Sequence, residues 1–300
     1  MTEGIILLDK PAGQTSFQSL GELKRRLGTG RVGHTGTLDR FAEGLLVALC
    51  GRMTRLCAFA ASLDKEYVAV FTFGRGTDTL DPEGAVTGKG TVPLRGDVEE
   101  ILASFRGTIT QVPPAYSAVH VDGRRAYQAA REGAPVSIAA RTVTIERLEL
   151  LDFAAPEAVL RILCSKGTYI RSLARDMAEK LGTCAYVSKL RRTRVGGFRI
   201  ENAKSPDAFD PATDILNPSV FFDAAPGLGR LRLKPEWIGP VSTGIPLTGH
   251  EFESVLDNDG IYGVFSPDGG LVAVVERQGG AWRYAATFPT CAGNTEKRPE

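Results

Sequence analysis

The sequence predicts an α+β fold: a mixed, largely antiparallel sheet flanked by helices and loops, followed by a small β-rich unit. Three observations carry this. Strand and helix signals interleave without a regular βαβ period, which argues against a doubly wound sheet. Residues 206–229 turn to Pro, Asp, Ala and Gly, as a linker would. Beyond them, short strand signals are separated by Pro-Asp-Gly-Gly and Gly-Gly turns. The division expected is therefore 1–228 and 229–300.

The elements follow in order. Ile5–Leu8 reads as a buried strand ended by a Lys-Pro-Ala-Gly turn. Thr15 or Ser16 caps a helix with Phe17, Leu20, Leu23 and Leu27 at helical spacing, stopped by Gly28. A glycine-rich loop, 28–36, leads to a buried strand over Gly44–Cys50, a helix over Thr54–Leu63 and an alternating strand over Tyr67–Phe73. Val98–Phe105 reads as helix. Residues 112–136 mix prolines, aromatics and basic residues, which suits a protruding insertion with a short helix over Arg124–Arg131. Strands return at Thr142–Leu151 and Val159–Cys164, then a helix over Ile170–Leu181 and a strand around Tyr186–Leu190. The late strands are Ile261–Phe265, Leu271–Glu276 and Ala281–Thr287.

Composition narrows the function. The chain has 300 residues, 43% hydrophobic and 24% charged, the balance of an ordinary soluble protein. The longest apolar run, Gly44–Gly51, is far too short for a membrane span, and Glu3 and Asp9 flank an N-terminal run unlike a signal peptide. Five scattered cysteines without CxxC point to a reducing, cytoplasmic setting, and three isolated histidines to no metal site. The net charge of +1 divides unevenly: residues 1–200 carry +7 and residues 201–300 carry −6. Ten basic and two acidic residues fall between Arg161 and Arg199, the local basic surface that attracts a phosphate backbone.

The richest stretch is 33–46, GHTGTLDRFAEGLL, which sets a lone carboxylate, Asp39, between a glycine-rich loop and a buried strand, at the rim of the sheet. The overlapping GxGxxG at 28–33 is no dinucleotide fingerprint, because it ends a helix instead of following a strand and opening one.

GHTGTLD with its Gly-Leu-Leu run resembles the catalytic motif of the TruB family of tRNA pseudouridine-55 synthases. Further motifs match in the family's order: LDKPAGQTS (8–16), DKEY (64–67), TDTLD (77–81), PPAYSA (113–118), CSKGTYIR (164–171) and LRR (190–192). The resemblance implies a pseudouridine synthase fold with a PUA-like C-terminal domain, no cofactor, no obligatory protein partner, and the T-arm stem-loop of tRNA as substrate. It makes Asp39 the catalytic carboxylate and Arg171 its ion-pair partner, since a nearby cation favours the charged form of a desolvated carboxyl. Tyr67 would stack on the detached uracil, Leu190 wall the pocket, and His34 enter the RNA loop where the flipped base leaves a space. Lys10, Arg40, Arg124, Arg125, Arg131, Lys189, Arg191, Arg192 and Arg194 are the RNA-contact candidates.

Two positions depart from the family pattern. Arg40 stands where proline is usual and Glu43 where threonine is usual. Arg40 would hold a phosphate or pair with Glu43. An RNA chaperone would use the same basic surface, but would not need Asp39, Tyr67 and Arg171 together.

Overall fold

The computed structural model describes residues 2–117, 119–121, 124–126, 132, 137–254 and 258–289. Strands β1 (Gly4–Lys10), β2 (Val32–His34), β3 (Glu43–Cys50) and β4 (Lys65–Phe73) open the chain, with helix α1 (Ser16–Leu27) after β1 and α2 (Cys57–Ala61) before β4. A small hairpin, β5 (Arg75–Thr77) and β6 (Val86–Lys89), precedes α3 (Arg95–Ile101) and β7 (Gly107–Gln111). The two-residue strands β8 (His120–Val121) and β9 (Arg124–Arg125) lead to the long strands β10 (Arg141–Ala154) and β11 (Glu157–Cys164). Helix α4 (Ile170–Lys180), β12 (Ala185–Val195) and β13 (Phe198–Arg199) follow.

The main sheet runs β1-β3-β12-β4-β11-β10-β7, with β2 on β3 and β13 on β12. Every pairing in it is antiparallel except β3 with β12, where Arg191 sits opposite Glu43. Gly44 makes that contact possible. Its φ is +103° and a Cβ there would lie 2.4 Å from the Arg192 carbonyl oxygen, so only glycine fits.

Both faces of β1 and β3 are covered, which explains their unbroken apolar runs. Ile5, Leu7, Leu45, Val47 and Leu49 pack on one side, while Ile6, Leu8, Leu46 and Ala48 pack against α1 on the other. Strand β4 alternates instead, turning Tyr67, Ala69, Phe71 and Phe73 towards α4. Helix α1 begins with a reciprocal cap between Thr15 and Gln18, and ends at left-handed Gly28.

Three expectations need correction. Phe17 is no core residue: it is 76% exposed. At 100° per residue Leu20, Leu23 and Leu27 share a face, and Phe17 stands roughly 90° away from its centre. Arg124 does not open a helix, since Arg124 and Arg125 pair with Val121 and His120 in a hairpin; the expected helix has only Ala126 helical among the described residues, and 127–131, Arg131 included, lie outside them. Residues 206–229 are no free linker. Leu216 exchanges both backbone hydrogen bonds with Ile5 (3.1 and 2.8 Å), and Lys204 bonds to Leu7 and Asp9. Phe209, with Phe221 and Phe222 of α5 (Ser219–Ala224), is buried against the sheet.

The chain then forms β14 (Leu228–Arg232), α6 (Ile238–Thr243), β15 (Gly260–Phe265), β16 (Leu271–Gln278) and β17 (Ala281–Thr287). These strands form one sheet in sequence order, with a parallel first pair. It shares a core with the main sheet: Phe222 meets Phe265 edge-on at 5.3 Å, and Phe265, Val274 and Phe288 join the cluster containing Leu45 and Met53.

Candidate active site

The loop between β2 and β3 carries Asp39 and is fixed from several directions. Thr35 donates its N–H to the Val47 carbonyl at 3.0 Å, and Gly36 donates to Nδ1 of His34 at 3.3 Å. The Ser16 hydroxyl donates to the Leu38 carbonyl and accepts the Leu38 N–H, at 3.2 and 3.0 Å. Beyond Asp39, the Gly13 N–H reaches the Arg40 carbonyl at 2.8 Å. The carboxylate is thus held at the mouth of a cleft of about 730 Å³, whose lining includes Phe17, His34, Tyr67, Tyr169, Arg171 and Leu190.

Arg171, in the first turn of α4, is 96% enclosed and faces Asp39 across 2.9 Å, Nε to Oδ2, while the Asp39 side chain is 39% exposed. Its Nε–H is not aligned for a directed hydrogen bond, so the contact is one of charge. The remaining nitrogens are occupied. Nη1 donates to the Thr79 carbonyl at 2.8 Å and lies 3.4 Å from Asp81, and Nη2 donates to the Tyr116 carbonyl at 3.0 Å. Asp81 is itself held by the Thr79 hydroxyl and the Glu83 N–H. Burial raises its pKa, and Thr79 and Arg171 oppose that rise.

The structure therefore brings Asp39, Arg171, Tyr67, Leu190 and His34 to one cleft. Burial raises the Tyr67 hydroxyl above the usual tyrosine pKa, which keeps it protonated at neutral pH, and burial lowers His34, which keeps the imidazole neutral. The sequence reasoning gave no role to Tyr169, Thr79, Asp81 or Tyr116. Tyr169 lines the cleft directly before α4, and the other three hold Arg171. The TDTLD and PPAYSA motifs were the available signal, because both converge on that guanidinium.

The RNA-contact candidates divide. Lys10 is fully buried and donates to the Pro11 and Gln14 carbonyls at 3.0 and 2.6 Å, so it braces the turn instead of standing on the surface as expected of a phosphate contact. Arg192 is buried as well and donates to the carbonyls of Leu45 (2.7 Å) and Gly36 (3.0 Å), tying the Asp39 loop to β3. Lys65, unassigned from sequence, is a third buried cation, held by the Ala61 and Leu63 carbonyls. Burial pushes the pKa of both Lys10 and Lys65 down to about 8.

Arg191 spans Asp9 and Glu43 at 2.7 and 3.1 Å, so Glu43 pairs with β12 and not with Arg40. Arg40 is 61% exposed; its Nε donates to the Gly13 carbonyl at 3.0 Å and lies 3.8 Å from Glu83. Lys189 is exposed, and Arg194 is half-buried with Nη1 on the Gly196 carbonyl. The side chains of Arg124 and Arg125 lie outside the description. A second cleft, about 600 Å³ between β13 and α5, includes Phe198, Lys204 and Asp223 in its lining but not Asp39 or Arg171.

No helix among the described residues is long and apolar enough to cross a membrane. The model of the TruB family pseudouridylate synthase N-terminal domain matches residues 24–170, and that of the tRNA pseudouridylate synthase B C-terminal domain matches 171–210. The tRNA pseudouridine synthase B of Borreliella burgdorferi (strain ZS7) is 49% identical over 206 residues, 68% of this chain and 73% of that one. Its counterpart in Leifsonia xyli subsp. xyli is 36% identical over 296 residues, covering 95% and 96%. A solved Cbf5-Nop10-Gar1 complex contains a chain of the same fold, with TM-score 0.71 and 24% identity over 92% of this chain and 78% of that one. With a fixed carboxylate–guanidinium pair at the rim of a mixed sheet, one relative 49% identical over two thirds of the chain and another 36% identical over nearly all of it, the chain belongs to the TruB family of pseudouridylate synthases.

Proposed function

We propose that this enzyme isomerises uridine to pseudouridine at position 55 of tRNA, with Asp39 as its catalytic carboxylate and the T-arm stem-loop as the element recognised. The observation that carries this reading is the Asp39–Arg171 pair, 2.9 Å apart at the mouth of a cleft. The reaction breaks the C1′–N1 bond and forms C1′–C5 within the same nucleotide. The C5 proton is lost and N1 gains one, so atoms balance and no redox step occurs. Asp39 either adds to C1′ or removes a sugar proton as uracil departs. Both routes need the same anion beside the ribose, and Arg171 supplies the charge that holds it there.

The target base must leave the RNA stack to reach this carboxylate, at a cost of a few kcal/mol. Tyr67 offers a flat, protonated phenol to the detached uracil, and Leu190 closes the wall beside it. Neutral His34 occupies the rim, where an imidazole can stack in the space the base vacated. Among the described side chains Arg40, Lys189 and Arg194 remain as the phosphate contacts, with Arg124, Arg125 and Arg131 beside them as expected from the sequence, and the enzyme works without an obligatory protein partner. Residues 1–228 would form the catalytic unit and 229–300 a PUA-like unit docked onto it.

The test is direct. The purified protein is incubated with unmodified tRNA and with an isolated T-arm stem-loop, and pseudouridine is mapped by carbodiimide treatment and reverse transcription. Modification of the uridine matching position 55 in both RNAs is expected. Modification elsewhere, or of neither, would refute the reading.

A further inference from the structure

Phe17 is the largest apolar side chain left open to solvent among the described residues, and it lies in the wall of the Asp39 cleft. A single exposed hydrophobe is ordinary on a protein surface. This one is set apart by three features of its surroundings.

The residue before it, Ser16, is bonded on both sides to Leu38, which adjoins Asp39. The backbone that carries the ring is therefore tied to the loop that carries the catalytic carboxylate. The helix start is rigid too, closed by the Thr15–Gln18 cap. Finally, Lys24, seven residues along and on the same helix face, places its ammonium 5.5 Å from the ring centroid. An aromatic face with a cation beside it, at the lip of a basic RNA-modifying cleft, is the arrangement that takes a nucleobase by stacking and its phosphate by charge.

We propose that Phe17 is a stacking platform for an unflipped base adjoining the target uridine, with Lys24 as its electrostatic companion. This rests on the function proposed above and adds a recognition residue to it. Flipping one nucleotide uncovers a face on each of its two neighbours; His34 enters the gap against one, and the Phe17 ring in the wall of the same cleft covers the other. Such stacking tolerates any base, because each presents a π-face. Phe17 thus contributes affinity and registers the strand against Asp39, without reading sequence.

The experiment measures binding of a T-arm stem-loop by fluorescence anisotropy for wild type, Phe17→Ala, Phe17→Leu and Phe17→Trp, with 2-aminopurine next to the target position as a second reporter. Loss of one base–aromatic stack should weaken binding roughly tenfold for both Ala and Leu, while Trp stays within about twofold of wild type. The 2-aminopurine should be quenched on binding wild type and not on binding Phe17→Leu. Thermal stability should be unchanged, because the ring is exposed. Wild-type affinity in Phe17→Ala, or full recovery by Leu, would overturn the stacking role. Wild-type protein that makes no pseudouridine would instead refute the function itself, whatever the Phe17 variants do.

Discussion

Arg171 meets Asp39 with one nitrogen and spends the others on Thr79, Tyr116 and Asp81. A lysine can supply the charge but not this planar set of contacts. Arg171→Lys should therefore fold and bind tRNA, yet lose turnover by roughly a hundredfold. Arg171→Met, which leaves buried Asp81 unpaired, should also lower unfolding free energy by about 3 kcal/mol in urea titrations. Turnover within threefold of wild type for Arg171→Lys would show that charge alone suffices.

Asp39→Asn keeps the side chain's shape and removes the anion. Single-turnover assays should show roughly a 10,000-fold loss or more of pseudouridine formation. Binding of tRNA should remain within a few-fold, because affinity comes mainly from phosphate contacts. Turnover within about a hundredfold of wild type by the pure variant would remove Asp39 from the chemistry.

Arg40→Pro restores the residue usual in the family. Its side chain gives up one bond to Gly13 and a long, exposed pairing with Glu83, worth at most about 1 kcal/mol. If Arg40 holds a phosphate, the slope of log affinity against log salt should become shallower by roughly 0.7 to 0.9, with melting temperature nearly unchanged. An unchanged slope with lowered melting temperature would make Arg40 a loop brace.

Lys10 and Lys65 give a pH test. Burial lowers both from 10.5 to about 8. Below pH 8 the folded and unfolded chains both hold these protons, and the cost of burying them is felt in full. Between pH 8 and 10.5 only the unfolded chain holds them, so their contribution to stability rises with pH. Urea titrations at pH 7.5, 8.5 and 9.5 should show wild type gaining on Lys65→Met across this window. A difference constant with pH would mean Lys65 titrates normally in the folded protein.

Much of the site could be read from the chain because short motifs fix local geometry. Asp39 lies in a loop bounded by β2 and β3, and the buried run of β3 marked where the sheet began. What escaped reading depends on distant partners. Nothing near Arg192 in sequence announces its burial. The Arg192 carbonyl partners lie roughly 150 residues earlier, across the β12–β3 crossing. Residues 206–229 looked like a linker because Pro, Asp and Gly dominate the composition. Phe209, Leu216, Phe221 and Phe222 carry the opposite signal, and only the fold shows the surface they meet. The Phe17 error was angular: four apolar residues at plausible spacing do not all share one face.

The bonds of Lys204 and Leu216 to β1 have a bearing on how the protein stays dispersed. With β3 on its other side, β1 would otherwise end the sheet and present an unpaired row of N–H and C=O groups beside a strongly apolar strand, the template on which sheets from separate molecules join. The returning segment occupies those groups at Ile5, Leu7 and Asp9. It therefore acts as a built-in guard against self-association. A chain cut before residue 203 could retain Asp39 and its cleft, and would precipitate through the uncovered strand.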